Sequence, residues 1–453
     1  MSHIHHHANR REFLRRSAAM GALTASPFAA NLAAIGNAAA QNATGFKALV
    51  CVYLAGGNDN ANTIVPRATA EYTPYATARG GLALTQASLL PMSPTGFAGP
   101  QLGMHPSLTR IKALFDQQRC AVLANVGTLA VPLPRGRDDW NRGSPTLAVP
   151  AQLFSHSDQA NQWQTGIPDG PSRTGWMGRM GDLMASGSDR ISMAMSIAGN
   201  NVIQVGNSTV QYQLTTRGPV RIGQLDQLYG YNTTAVRSVI TENRTNLMER
   251  ELAAIARRSI DSEAVVSAAI ATTSSMAEFP GGGLGAQLRM VARMIAARNA
   301  LGHTRQIYYV MHGGYDFHAN LLTDQATRLA DLDAALAQFY DTTVSLGVSN
   351  DVTTFTASDF GRALQLNGDG SDHGWGGHHF VIGGAVQGNR VYGQWPTMAL
   401  GSRDDSGNGR LIPTTSVDQY ASTLARWFGV SATNLTTVMP NLNRFGSASM
   451  GFV

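Results

Sequence analysis

Apolar runs that end in glycine and polar residues recur along the chain. ALVCVYL (48–54) carries no charge and runs into GGNDN, and RCAVLANVG (119–127) has the same form. RQIYYVMHGG (305–314), VTTFTASDFGR (352–362) and HFVIGGAVQG (379–388) repeat it. Apolar runs of this length, rich in β-branched residues, predict strands buried on both faces, as in parallel sheets. Shorter strands are expected at 191–199 and 201–206. Between these runs apolar residues return every three or four positions, at 108–118, 324–347 and 414–430, which is the spacing of an amphipathic helix. Two Ala/Arg/Glu-rich stretches, 233–276 and 284–300, show the helical period without strand signals. Strands alternating with helices predict an α/β fold whose mostly parallel central sheet is flanked by helices. The region near 208–300 reads as a helical insertion or cap.

Polar clusters fall at the ends of the predicted strands. GGND, HGGYDFH and SDFGR each follow a buried run directly, and in open α/β sheets the carboxyl ends of strands are where ligands bind. They deliver Asp59, Asp316, His318 and Asp359 to one edge of the sheet. The stretch SDHGWGGHH (371–379) adds Asp372, His373, His378 and His379 before the last apolar run. Carboxylate and imidazole together suit a divalent metal: Zn²⁺ or Mn²⁺, or Mg²⁺ or Ca²⁺ where carboxylates dominate. The glycines at 374, 376 and 377 are expected to relax the backbone so that the segment turns over the strand ends. His378 and His379 precede a strand, so one is expected to point toward the site and the other away. Arg362 of SDFGR is a candidate partner for an anionic substrate, because a guanidinium fork matches a tetrahedral oxyanion; its plain alternative is an ion pair.

Composition narrows the function. The chain has 453 residues, 43% hydrophobic and 14% charged, enough for a large core. Residues 1–40 combine Arg10–Arg11, an Ala-rich weakly apolar stretch and a closing Ala38-Ala39-Ala40, the pattern of a twin-arginine signal peptide. The expected mature domain is then 41–453, periplasmic or secreted, with no transmembrane anchor. The net charge of +5 falls to about +2 without that segment, which holds four arginines and one glutamate. No nucleic-acid footprint remains. Cys51 and Cys120 both sit in apolar runs; they pair if their strands are neighbours and otherwise stay buried thiols.

GGNDNANTIVP, LGMHPSL (102–108), HGGYDFHANL (312–321), SDFGR, DHGWGGHHFVIGGAVQG and the closing MGFV together resemble the Tat-exported bacterial proteins called the domain of unknown function 1501 family. That family is similar in turn to the alkaline phosphatase and sulfatase superfamily. The resemblance implies an alkaline-phosphatase-like fold and metal-dependent hydrolysis of an anionic phosphate or sulfate ester. It places Asp59 as the first metal ligand, Asp316 and His318 as an Asp…His pair, Asp359 as the opening of a second pair, and His378 or His379 as the last ligand. It also suggests Ser155, at the head of FSHSDQANQWQTG (154–166), as nucleophile, with Ser157 as rival and a plain helix cap as the other role. The pattern departs from the superfamily at Phe360, which stands where the second pair would carry histidine, and at the one-residue spacing of Asp316 and His318. These departures support the other expectation, a non-catalytic scaffold that binds an exported partner or a cell-surface polymer.

Overall fold

The computed structural model describes residues 45–142, 148–185 and 191–453. The expected signal segment, 1–40, lies outside the described residues. No helix among the described residues is long and apolar enough to cross a membrane.

The main sheet and the hairpin beside it include β1 (Lys47–Leu54), β2 (Cys120–Gly127), β3 (Ala194–Ser196), β4 (Tyr212–Thr215), β5 (Gly218–Pro219), β6 (Arg305–His312), β7 (Val352–Ser358), β8 (Arg362–Asn367), β9 (Gly370–His373), β10 (Gly377–Gly383) and β11 (Val391–Tyr392). All but β8 and β9 belong to one large sheet in the order β11-β2-β10-β7-β1-β6-β3-β4-β5. Pairing is parallel across β7-β1-β6-β3-β4 and antiparallel where β10 sits between β7 and β2. The predicted mostly parallel sheet is therefore present. β8 and β9 form a separate hairpin beyond the end of β7.

Alternation along the buried runs builds two cores. Val50 and Val52 of β1 and Tyr308 and Val310 of β6 face one side, against α1 (Thr109–Asp116), α5 (Gly282–Ala296) and α6 (Leu321–Ser345). Leu49, Cys51, Ile307 and Tyr309 face the other, against α2 (His156–Thr165), α3 (Trp176–Met184) and α7 (Val417–Phe428). Helices thus cover both faces, as continuous apolar strands require. α5 belongs to the main helical layer, and α4 (Leu247–Ala271) projects more, exposing Leu247, Met248, Leu252 and Ile255.

One expected strand differs from the structure. The stretch 201–206 is no strand: Gln204 turns its amide onto the Met195 and Ile307 carbonyls, and Ile203 O receives the Gly178 N–H at the start of α3. The Ile203 and Val205 carbonyls are spent on the Gly178 and Gly175 N–H groups, so they are not free to join a ladder. The cysteines are free, and β10 and β7 lie between their strands.

Three parallel strands, β7-β1-β6, put their carboxyl ends side by side, and the register aligns Leu54 with His312 and Ser358. The polar segments after those residues leave the sheet at one level. α2 starts above them. Its N-cap is Ser155, in extended conformation, and its C-cap is Gly166 in the left-handed region, as a helix ending in Thr-Gly should have. Arg179 of α3 holds that end by donating to the Thr165 carbonyl at 2.5 Å and to Val438.

Candidate functional site

His156, Asp316 and His373 each offer one ligand atom, all within 4.8 Å of one another. Asp316 arrives from the turn after β6, His373 from the end of β9, and His156 from the first turn of α2. Asp316 Oδ1 is the hub: His156 Nε2 lies at 3.4 Å, His373 Nε2 at 3.3 Å and His318 Nε2 at 3.0 Å. His318 Nε2 is also 3.0 Å from His373 Nε2.

The other ring nitrogens fix which lone pairs face this hub. His156 Nδ1 is 2.7 Å from Asp359 Oδ2, and an ionised carboxylate only accepts, so Nδ1 carries the proton. His373 Nδ1 is 2.8 Å from the Phe154 carbonyl, again an acceptor only. Neutral imidazoles so held must present unprotonated Nε2 atoms to Asp316. Among the described residues, the buried His156 Nε2 has no hydrogen-bond partner. Imidazoles whose far N–H is tied to a carboxylate or carbonyl are the arrangement that proteins use for metal ligands. Two imidazoles and a carboxylate therefore fit a divalent cation with positions left open.

Charge at the site follows from its neighbours. The hydrogen bond from His156 to Asp359 raises the His156 pKa above the ordinary histidine value, against its partial burial. Burial lowers the His373 pKa, helped by the nearby His156 and Arg362 charges. Partial burial alone would raise Asp316, but the hydrogen bond and charge of Arg362 outweigh it and hold the carboxyl below its usual range.

Each sequence candidate now has a place. Asp359 stands behind His156, its Oδ2 also accepting the Gly56 N–H at 3.2 Å. Arg362 is 1% exposed, and all three guanidinium nitrogens are engaged: Nη1 with Asp316 Oδ1 at 2.9 Å and Gly56 O at 3.1 Å, Nε and Nη2 with Ser371 O. It orients Asp316 from below. Asp59 is fully buried in an ion pair with Arg79. His378 accepts the Asn125 N–H at 3.1 Å and stacks on Trp395, while His379 packs against Trp163 and Tyr420. Burial lowers the pKa of both to about 3. They do point to opposite faces, but neither joins His156, Asp316 and His373. Asp372 lies at the rim, 3.9 Å from His318 Nδ1. Ser155 Oγ donates to Asp158 Oδ2 at 2.6 Å and lies 3.1 Å from Ser157 Oγ.

Close packing, and no left-handed turn, accounts for Gly374 and Gly376 of SDHGWGGHH. A Cβ on Gly374 would lie 2.5 Å from the Gly361 carbonyl, and one on Gly376 would lie 2.1 Å from Asn125 Oδ1. Trp375 is buried, its Nε1 donating to the Thr128 carbonyl at 2.8 Å. His156 was absent from the sequence candidates. The available signal was a histidine directly after an expected helix cap, on a helix aimed at the strand ends.

A family profile described as "protein of unknown function (DUF1501)" matches residues 46–439. The chain belongs to the DUF1501 family. No curated protein sequence matches it. Solved structures similar to this DUF1501 chain include a protein in the alkaline phosphatase superfamily from Vibrio parahaemolyticus, at TM-score 0.37 and 10% identity over 90% of this chain and 76% of that one. The lipoteichoic acid synthase LtaP from Listeria monocytogenes gives 0.35 and 9% over 86% and 74%. The PsFucS1 sulfatase from Pseudoalteromonas sp. gives 0.34 and 8% over 88% and 72%.

Proposed function

We propose that this DUF1501 chain is an exported metal-dependent hydrolase of phosphate or sulfate esters, with His156, Asp316 and His373 as the core ligands and His318 beside them. The observation that carries the reading is the paired commitment of the two Nδ1 atoms, which leaves two Nε2 lone pairs and a carboxylate converging. Two imidazoles in the donor set favour Zn²⁺ over Mg²⁺ or Ca²⁺. A divalent cation held there supplies a Lewis acid for an ester oxygen. The chain's own residues do the rest. Arg362 and Asp359 hold Asp316 and His156 in register. Ser155, at the N-terminus of α2, is the candidate nucleophile, because Asp158 can take its proton and the free N–H groups of the first turn favour the charge that develops.

The test joins metal content to turnover. Purified protein loaded with Zn²⁺ or Mn²⁺ should hold a single ion per chain and cleave an aryl phosphate, phosphodiester or sulfate. His156→Ala and His373→Ala should lose both properties, whereas Ser155→Ala should keep the ion and lose turnover. A wild-type protein that binds no ion under any loading condition refutes the metal site.

One observation favours a second reading, a phosphatase-like scaffold that binds an exported partner or cell-surface polymer without turnover. Phe360 stands beside His156 and His373 with an apolar ring, and Asp59 is neutralised by Arg79, so among the described residues a second ion has no ligand set at that place. A single bound ion with no turnover on any ester of the panel selects this reading.

A further inference from the structure

With Arg362 engaged inside the protein, none of the side chains assigned to the site so far offers a substrate a free positive charge. Arg410 fills that gap. Its Nε donates to the His373 carbonyl at 2.9 Å, and its guanidinium carbon lies 4.5 Å from the centre of the Phe154 ring. The Phe154 carbonyl is the same one that receives His373 Nδ1–H. Arg410 is thus fastened to both segments that bring imidazoles to the hub, 154–156 and 373.

Both of its anchors are neutral. No carboxylate pairs with Arg410, and its Nη atoms have no hydrogen-bond partner, among the described residues. The loop that carries it is rigid, because Asp405 Oδ1 accepts the N–H groups of Gly407 and Gly409, each at 2.7 Å. Asp405 spends its other oxygen on Gly401 N–H and Arg137, so it is not a partner for Arg410. Phe154 itself has φ 72°, an unusual backbone for a non-glycine residue, which places its carbonyl and ring at this junction. A planar cation held by one edge and one face keeps its remaining N–H groups for a ligand.

We propose that Arg410 forms an anion subsite for the phosphoryl or sulfuryl group of the substrate, its Nη donors engaging two oxygens of a tetrahedral oxyanion. The inference rests on the hydrolase reading for its substrate class, and its test stands apart from turnover. Inorganic phosphate and sulfate are titrated calorimetrically into wild type, Arg410→Gln and Arg410→Lys, each as purified and after Zn²⁺ loading. Gln keeps a donor for the His373 carbonyl but not the charge; Lys keeps the charge but not the fork. Arg410→Gln should weaken phosphate or sulfate binding by about tenfold or more, the loss of a charge-assisted hydrogen bond. Arg410→Lys should weaken it less, and zinc content and circular dichroism should match wild type in both. A preference between the two anions tells which ester the subsite serves. Equal anion affinity in wild type and Arg410→Gln overturns the proposal, as does anion loss that only follows zinc loss, or a wild type that binds neither anion. Arg410-dependent anion binding in a protein that takes up no metal would remove the metal reading and leave this one standing.

Discussion

The ring of Phe360 stacks on that of His373, with centroids 4.7 Å apart and planes 29° apart, and it touches His156 at the same centroid distance. Gly57 makes the room. A Cβ there would lie 2.3 Å from the Phe360 ring, and its φ of 85° already disfavours a side chain. Gly57→Ala should therefore cost about 3 kcal/mol, from strain and overpacking together, and push the ring into the imidazoles. Denaturant unfolding measures the first effect and zinc affinity the second. Phe360→Leu in the Gly57→Ala background should recover part of the stability; no recovery would place the strain in the backbone alone.

Asp59 and Arg79 form a buried pair, both side chains fully covered, and among the described residues Asp59 Oδ1 and Arg79 Nε have no hydrogen-bond partner. Removing one member leaves an uncompensated charge in the interior. Arg79→Ala should cost about 3–5 kcal/mol of stability. Asp59→Asn should destabilise as well, yet leave the zinc content of folded protein unchanged. Loss of zinc from folded Asp59→Asn would return Asp59 to the ligand set.

The sheet, and the delivery of Asp316 and Asp359 to one edge of it, were legible in the sequence because each rests on local patterns. Unbroken apolar runs ending in GGND, HGGYDFH and SDFGR specify parallel strands and put Asp316 and Asp359 at their carboxyl ends. The partners of individual polar groups are set across long sequence distances, and that part was hidden. His378 and His379 look like ligands in a glycine-rich stretch, but Trp395, Asn125 N–H, Trp163 and Tyr420 are what meet them. Asp59 reads the same with or without Arg79, twenty residues on. His156 was overshadowed by the serines on either side, and only the placement of α2 above the strand ends turns it inward.

Cys51 and Cys120 lie on strands separated by two others, in different cores, and both are fully buried. Burial raises both thiols above the ordinary cysteine value, which removes the reactive thiolate. Native protein should show no thiol reactive toward Ellman's reagent over minutes, and denatured, unreduced protein should show two. A denatured protein with none would mean that a disulfide forms, against the strand order.

Asp418, in the first turn of α7, carries a buried carboxyl whose Oδ1 has no hydrogen-bond partner among the described residues. Burial raises its pKa to about 7, although the charges of Arg444 and Arg179 pull it down; Asp169 adds a smaller push upward. A folded pKa above the unfolded value means that the native state binds more protons between about pH 4 and 7. Stability should then fall as pH rises through that window, by at most about 4 kcal/mol once the group is fully ionised. Asp418→Asn has no charge to form and should flatten this part of the curve. Asn brings its own unpaired amide, so the slope of unfolding free energy against pH is the readout, and its absolute level is not. Parallel slopes for wild type and Asp418→Asn between pH 4.5 and 7.5 would show that Asp418 ionises without penalty, with Arg179 and Arg444 fully offsetting its burial.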